Sequence, residues 1–341
     1  MSKNLQNKIY ELILNSGTDG ILQSELEKKL GCSKSRVSEI TKNLLLNGIL
    51  IRRRVTGRNY VLWVLEKFPG YIEGIIRIGM LPSTEYIIHI MMIREFANYI
   101  SSRILPVLYN NSSLLLDDLS LGKIDIGFAP LTSFLLRSGA AKLKIISEVA
   151  SGGSSICENE HAMRNIIMTS EYSSMAVMTA RFIKSNPDVE SRMMLTPSQA
   201  VEDFTGAKFR YLSIWEPYLT QLKRNGFDKV VLTYEEAMDD CTCCALGISK
   251  QFMDNQSDLN KLIDKIKKGG KSALKSKSKI DREVKFFSDL LLIPSSIVKD
   301  SISSYRFKFG VSTSSLKKVS YLTGISITTE KIEDLIYQTF T

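Results

Sequence analysis

Over the first 65 positions, apolar residues fall at helical spacing and then change to a short hairpin pattern. Leu5, Ile9, Leu12 and Ile13 share one helix face and stop at Ser16-Gly17, where the glycine closes the helix. Ser24, with Glu27 three residues on, makes a capping box and predicts a second helix through Leu26 and Leu30 to Gly31. Beyond the turn Gly31-Cys32-Ser33, Ser33 caps a third helix that runs to about Asn47 and is closed by Gly48. Val37, Ile40 and Leu44 form its buried stripe. Its opposite face carries Ser35, Ser38, Glu39 and Lys42, with Lys34 and Arg36 at the N-terminal end. Ile49-Leu50-Ile51 and Asn59 to Val64 read as two strands around Arg52-Arg53-Arg54 and a Thr56-Gly57 turn.

After a junction at Glu66 to Gly74, strand-like and helix-like stretches alternate, which predicts an open α/β sheet. Ile75 to Met80 reads as a strand, and Ser83 or Thr84 would cap a helix through Tyr99. Leu105 to Tyr109 and Leu114 to Leu121 read as the next strand and helix. Ile124 to Ser133 follows, then a strand from Leu143 to Val149 that precedes Ala150-Ser151-Gly152-Gly153-Ser154-Ser155. Val284 to Ile293 and Leu316 to Leu322 have helical periodicity, and no internal repeat is visible.

A chain of 341 residues suggests two or three domains. Its 44% hydrophobic and 24% charged residues are globular values, against disorder or a fibre. Mean hydropathy is −0.02, and no apolar run approaches the roughly 18 residues of a membrane span. The opening stretch carries charges within its apolar periodicity and has no small-residue cleavage site, so no signal peptide is expected. Five cysteines, three of them within residues 241 to 244, do not make a disulfide framework, so a reducing, cytoplasmic setting is expected. The net charge of +9 is organised: residues 1–65 carry +6, residues 261–285 carry +7, and the remainder −4.

Two short helices joined by a tight glycine turn, followed by a hairpin with a basic tip, are the signature of a winged helix-turn-helix. Residues 1–65 resemble the MarR-like winged-helix regulators. That resemblance implies double-stranded DNA as partner, with Lys34, Ser35, Arg36, Ser38 and Lys42 in the major groove and Arg52, Arg53, Arg54 and Arg58 against phosphates or a minor groove. Further on, Leu121-Gly122-Lys123 leads into Ile124-Asp125-Ile126-Gly127-Phe128-Ala129-Pro130-Leu131-Thr132, and Trp215-Glu216-Pro217-Tyr218 follows a short strand. With the Cys241–Ile248 stretch, these segments resemble the type II periplasmic-binding-protein fold, nearest its nitrate, sulfonate and thiamine-pyrimidine-precursor group, over about residues 75–290. The expected architecture is therefore α/β. A winged helix-turn-helix at 1–65 precedes a two-lobed periplasmic-binding-protein-like domain at 75–341, whose second lobe spans about 155–243.

In such sheets a ligand binds outside the carboxyl ends of the strands, where helix N-termini offer free N–H groups. Ser83, Thr84, Thr132, Gly152, Gly153, Ser154 and Ser173 stand at such ends, and Trp215 or Tyr218 can supply a stacking wall. The expected ligand is a small polar or anionic effector. Cys241-Thr242-Cys243-Cys244 lacks the spacing of a thiolate metal site. On a strand, Cys241 and Cys243 would face one way and Cys244 the other, so buried packing is expected, with no cofactor and no metal. Residues 265–285, rich in Lys, Gly and Ser, read as a solvated loop.

Together these readings predict a non-enzymatic, cytoplasmic, ligand-responsive DNA-binding transcriptional regulator with no membrane partner. It would be a homodimer, because one short recognition helix contacts few bases. The alternatives are an enzyme related to the thiamine-pyrimidine synthases with an iron or cysteine site, and a winged-helix protein–protein adaptor. The enzyme would need a reactive His or Lys, and His89 and His161, the only histidines, fall in no ligand motif.

Overall fold

The computed structural model describes residues 2–54, 60–138 and 142–338. The first unit has helices Ser2–Asn15, Gln23–Leu30 and Lys34–Leu46, and strands β1 (Ile21–Leu22), β2 (Leu50–Arg54) and β3 (Tyr60–Val64). The strands form an antiparallel sheet in the order β1-β3-β2. Ile9, Ile13, Leu26, Val37, Ile40 and Leu44 close its core under the sheet. The second helix begins at Gln23 with Leu22 as cap, so Ser24 lies inside it and makes no capping box. Ile21 and Leu22 are held in the sheet by β3, which sets the helix start two residues earlier than the side-chain pattern indicates. Thr56-Gly57, Arg58 and Asn59 lie outside the described residues.

A small apolar cluster joins this unit to the rest of the chain. Trp63, Leu65, Phe68 and Ile72 are buried together, with Ile75 and Leu105 packed against them. Trp63 meets Phe68 edge-on at 5.3 Å, and its indole N–H donates to the Thr18 carbonyl at 2.9 Å.

The chain then builds β4 (Ile75–Met80), β5 (Arg103–Leu108), β6 (Ile126–Pro130) and β7 (Leu143–Gly152). It crosses through Gly153 into β8 (Ser154–Glu158), β9 (Ile166–Thr169), β10 (Glu190–Met193), β11 (Tyr211–Trp215) and β12 (Val230–Thr233). It returns as β13 (Cys244–Ser249) and ends its sheets with β14 (Tyr305–Gly310). The result is a six-stranded sheet, β14-β7-β13-β6-β4-β5, and a five-stranded sheet, β10-β9-β11-β8-β12. Each sheet is the centre of one lobe, flanked by helices, in a mixed parallel and antiparallel α/β architecture.

Helix Ile87–Tyr99 is apolar on nearly every side and is buried against helices Leu259–Ala273 and Lys277–Leu291. Those two helices hold the basic segment read as a loop, and the structure corrects that reading. Leu259, Leu262, Ile263, Ile266, Gly270 and Ala273 make one buried stripe while the lysines stay outside. Gly270 within that stripe is a packing requirement. A Cβ at Gly270 would stand 2.2 Å from the Phe309 ring. Gly270→Leu is expected to cost about 2 kcal/mol through overpacking; a thermal midpoint equal to that of the parent would show that this helix is not seated against Phe309.

Candidate functional site

The two lobes enclose a cleft of about 210 Å³, room for a small solute. From the first lobe, Leu81, Pro82, Ser83, Glu85 and Tyr86 reach it from the segment between β4 and helix Ile87–Tyr99. Asn110, Asn111 and Ser112 enter at the start of helix Ser112–Ser120, where the Asn111 side chain accepts from the Leu114 N–H at 2.9 Å. The crossing residues Gly152, Gly153 and Ser154 form another edge. Gly153 has a φ of +71°, and a Cβ there would lie 2.2 Å from the Tyr305 ring, so only glycine lets β7 turn past that tyrosine. The second lobe adds Ser173, Met175, Met193, Met194, Leu195 and Trp215.

Contacts across the cleft tie the lobes together. The Trp215 indole N–H donates to the Pro82 carbonyl at 2.9 Å. The Thr132 and Ser133 hydroxyls, on helix Leu131–Leu136, both donate to the Tyr172 carbonyl, at 2.7 and 2.6 Å.

The residues named from strand ends therefore divide. Ser83, Gly152, Gly153, Ser154, Ser173 and Trp215 line the cleft. Thr84 is turned inward, its hydroxyl 2.8 Å from that of Ser301, and the helix it was expected to cap starts later, at Ile87. Thr132 is spent on the contact between lobes. Tyr218 is buried behind Trp215, with its ring edge-on at 6.3 Å.

Glu85, Tyr86, Tyr305, Cys243 and Cys244 also line the cleft and are not among the strand-end residues that the sequence pattern picks out for a ligand. The expected alternation of the cysteines fails because β13 begins only at Cys244. Cys243 precedes the strand, its N–H bonded to the Ala150 carbonyl and its own carbonyl to the Leu131 N–H, so both neighbouring side chains reach the cleft. Their sulfurs lie 3.8 Å apart, and the Ser174 hydroxyl is 3.0 Å from that of Cys243.

Burial dominates the electrostatics here. It raises the Glu85 carboxyl well above the ordinary carboxylate range and pushes up the Cys244 thiol. The hydrogen bond from Cys244 acts in the opposite sense on Cys243 and pulls its thiol below the usual value. No Lys, Arg or His is among the described residues that line the cleft, whereas Glu85 and Glu171 are. The anionic ligand expected from the hydroxyl-rich strand ends therefore finds no opposite charge on these walls.

In the first unit, Lys34, Ser35, Ser38 and Lys42 are exposed on helix Lys34–Leu46, and Arg36 is paired with Glu39 at 2.7 Å. The Arg52 guanidinium sits 4.8 Å over the Tyr60 ring and that of Arg53 sits 4.5 Å over Phe68. Arg54 is exposed at the end of β2, and Arg58 is outside the described residues. Among the described residues, no helix is long and apolar enough to cross a membrane.

No protein-family model and no curated protein sequence matches the chain. Solved structures do. The ligand-binding component of an ABC-type import system from Staphylococcus aureus, solved with zinc bound, aligns with a TM-score of 0.57 at 15% identity, over 73% of this chain and 91% of its own. The periplasmic aliphatic sulphonate binding protein SsuA of Escherichia coli gives 0.57 at 13% identity, over 78% and 93%. The periplasmic nitrate-binding protein NrtA of Synechocystis PCC 6803 gives 0.53 at 15%, over 70% and 72%.

These neighbours correct the functional expectation. One is named as the ligand-binding component of an import system and the other two as sulphonate- and nitrate-binding proteins, none as a DNA-binding regulator, so the transcriptional-regulator reading, its double-stranded DNA partner and the homodimer that followed from it are withdrawn. The cytoplasmic placement, which rested on cysteine count and the opening stretch, is withdrawn too, because two of the neighbours are named periplasmic. At this level of identity the likeness establishes the fold alone: the two lobes of this chain share the two-lobed α/β fold of these binding proteins.

Proposed function

We propose that the chain is a solute-binding protein of the kind that serves import systems, holding a small uncharged or cationic molecule between its two lobes. The observation that carries this is the cleft itself: glycine and hydroxyl edges, methionine and tryptophan walls, two carboxyl groups and no basic side chain among the described residues lining it. Ser83, Gly152, Gly153, Ser154 and Ser173 are the polar contacts in this reading, and Trp215 is the wall on which a flat or apolar part of the solute stacks. The binding domain is taken as residues 75–341. Residues 1–65, with three helices and the sheet order β1-β3-β2, are taken as a winged-helix fold seated on the first lobe through Trp63 and Phe68.

The test is a thermal-shift screen of the full chain against small amines, amino acids, uncharged metabolites, sulfonates and nitrate. A solute at a hundred times its dissociation constant stabilises the fold by about 2.7 kcal/mol. Uncharged or cationic solutes are expected to raise the midpoint, and sulfonates and nitrate are not. Trp215→Ala is expected to weaken binding of any hit at least about tenfold, the equivalent of roughly 1.4 kcal/mol. A screen in which only anions bind, or a hit indifferent to Trp215→Ala, rejects the reading.

A further inference from the structure

Three donors meet at the inner end of the cleft. The Glu85 carboxylate and the Cys243 and Cys244 sulfurs lie within 4.8 Å of one another, and all three residues are buried. Glu85 is 3% exposed, and its Oε1 atom has no hydrogen-bond partner among the described residues. A buried carboxyl oxygen left unpaired is costly, and a metal ion bound to it removes that cost. The sulfur spacing fits a particular ligand. Two thiolates at about 2.3 Å from a tetrahedral Zn²⁺ stand about 3.8 Å apart, and the observed separation is 3.8 Å.

We propose that Cys243, Cys244 and Glu85 form a zinc site at the floor of the cleft, with a fourth coordination position open to the bound solute. Three protein ligands with one open position is the arrangement of zinc centres that engage a further molecule, as opposed to closed structural ones. The carboxylate favours Zn²⁺ over Cu⁺, whose preference is for sulfur alone. On binding, both thiol protons and the Glu85 proton pass to solvent, so three negative donors meet one doubly positive ion and zinc affinity falls as pH falls. The site deepens the solute-binding reading, on which it rests for a cleft open to small molecules, by giving the solute a metal to complete.

The experiment uses the full chain, reduced and stripped with a chelator. Zn²⁺ is titrated against a chromophoric competitor, and Co²⁺ is added separately to look for thiolate-to-cobalt charge-transfer absorption. One Zn²⁺ per chain and that absorption are expected. Loss of an outer-shell partner alone costs metal sites about 10–100-fold, so Cys243→Ser and Cys244→Ser are each expected to lose at least about 100-fold in affinity. Glu85→Gln, nearly isosteric, is expected to lose about tenfold or more. Cys241→Ser and Cys32→Ser, which remove sulfurs outside the cluster, are expected to bind as the parent does. Full zinc binding by the Cys243 or Cys244 variant, or Cu⁺ binding without Zn²⁺ binding, overturns the proposal. If those variants fail to fold, absence of charge-transfer absorption in the cobalt-loaded parent overturns it instead. The thermal-shift screen on zinc-free protein is read separately, so a zinc site without a solute and a solute without zinc are distinct results.

Discussion

Asp125→Ala is expected to destabilise the first lobe by about 3–5 kcal/mol, the cost of leaving a buried charge without its partner. Asp125 and Arg77 are both fully buried. The Asp125 carboxylate accepts from the Arg77 backbone N–H at 2.8 Å and from its guanidinium at 3.1 and 2.9 Å. That guanidinium also donates to the carbonyls of Phe68, Gly70 and Gly122 at 2.5, 2.6 and 2.8 Å. One ion pair thus fixes β4, the entry to β6 and the junction that follows the first unit. The thermal midpoint of the variant is expected to fall on the order of 10 °C. A paired Arg77→Met/Asp125→Leu exchange is expected not to restore it, because three buried carbonyls lose their donor. A fall of only a degree or two in the single variant would mean that water replaces the lost carboxylate, contrary to this account.

The second large effect is one of pH. His89 lies wholly buried on helix Ile87–Tyr99, stacked 5.4 Å from Phe309 and edge-on to Phe128, with Nε2 at 3.4 Å from the Ser147 hydroxyl. Burial lowers its pKa from 6.5 to about 4. Between these values the unfolded chain holds more protons than the folded one, so stability rises with pH across the window. His89 therefore opposes folding only below about pH 6.5. It removes roughly 1.4 kcal/mol per pH unit on the way down, about 3 kcal/mol in all by pH 4. His89→Phe keeps the volume and removes the titration. The stability difference between parent and variant should widen in the variant's favour from pH 6.5 to 4 and stay constant above. Carboxylates such as Glu95 and Glu158, whose pKa values are lowered by lysine and arginine partners, are shared by both proteins and cancel. Parallel curves would show that His89 takes up its proton without unfolding.

Local patterns carried the reading of this chain wherever the answer was local. The stripe Val37, Ile40, Leu44 and the alternation of strands with helices after Gly74 needed only residue spacing. Asp125 in its Ile-Asp-Ile-Gly setting pointed to the right fold, although its role is to hold Arg77 and not a ligand. The misreadings share a cause in contacts between distant residues. Residues 265–285 looked like a solvated loop because Phe309, which fills the space over Gly270, comes much later in the chain. Thr132 looked like a ligand contact because its acceptor, Tyr172, belongs to the other lobe. Glu85 and the paired cysteines come together only when β13 is laid between β6 and β7. The alternation rule for Cys243 failed at a strand start, where backbone pairing rather than residue parity sets the side-chain direction.

The chain has two tryptophans, and each sits at a different joint. Trp63 is packed where the first unit meets the first lobe, and Trp215 bridges the cleft to Pro82. The protein therefore contains its own pair of optical probes. With Trp63→Phe, the remaining indole emission reports the opening of the lobes. With Trp215→Phe, it reports the detachment of the first unit, and the two motions can be timed separately in the same molecule without any added dye.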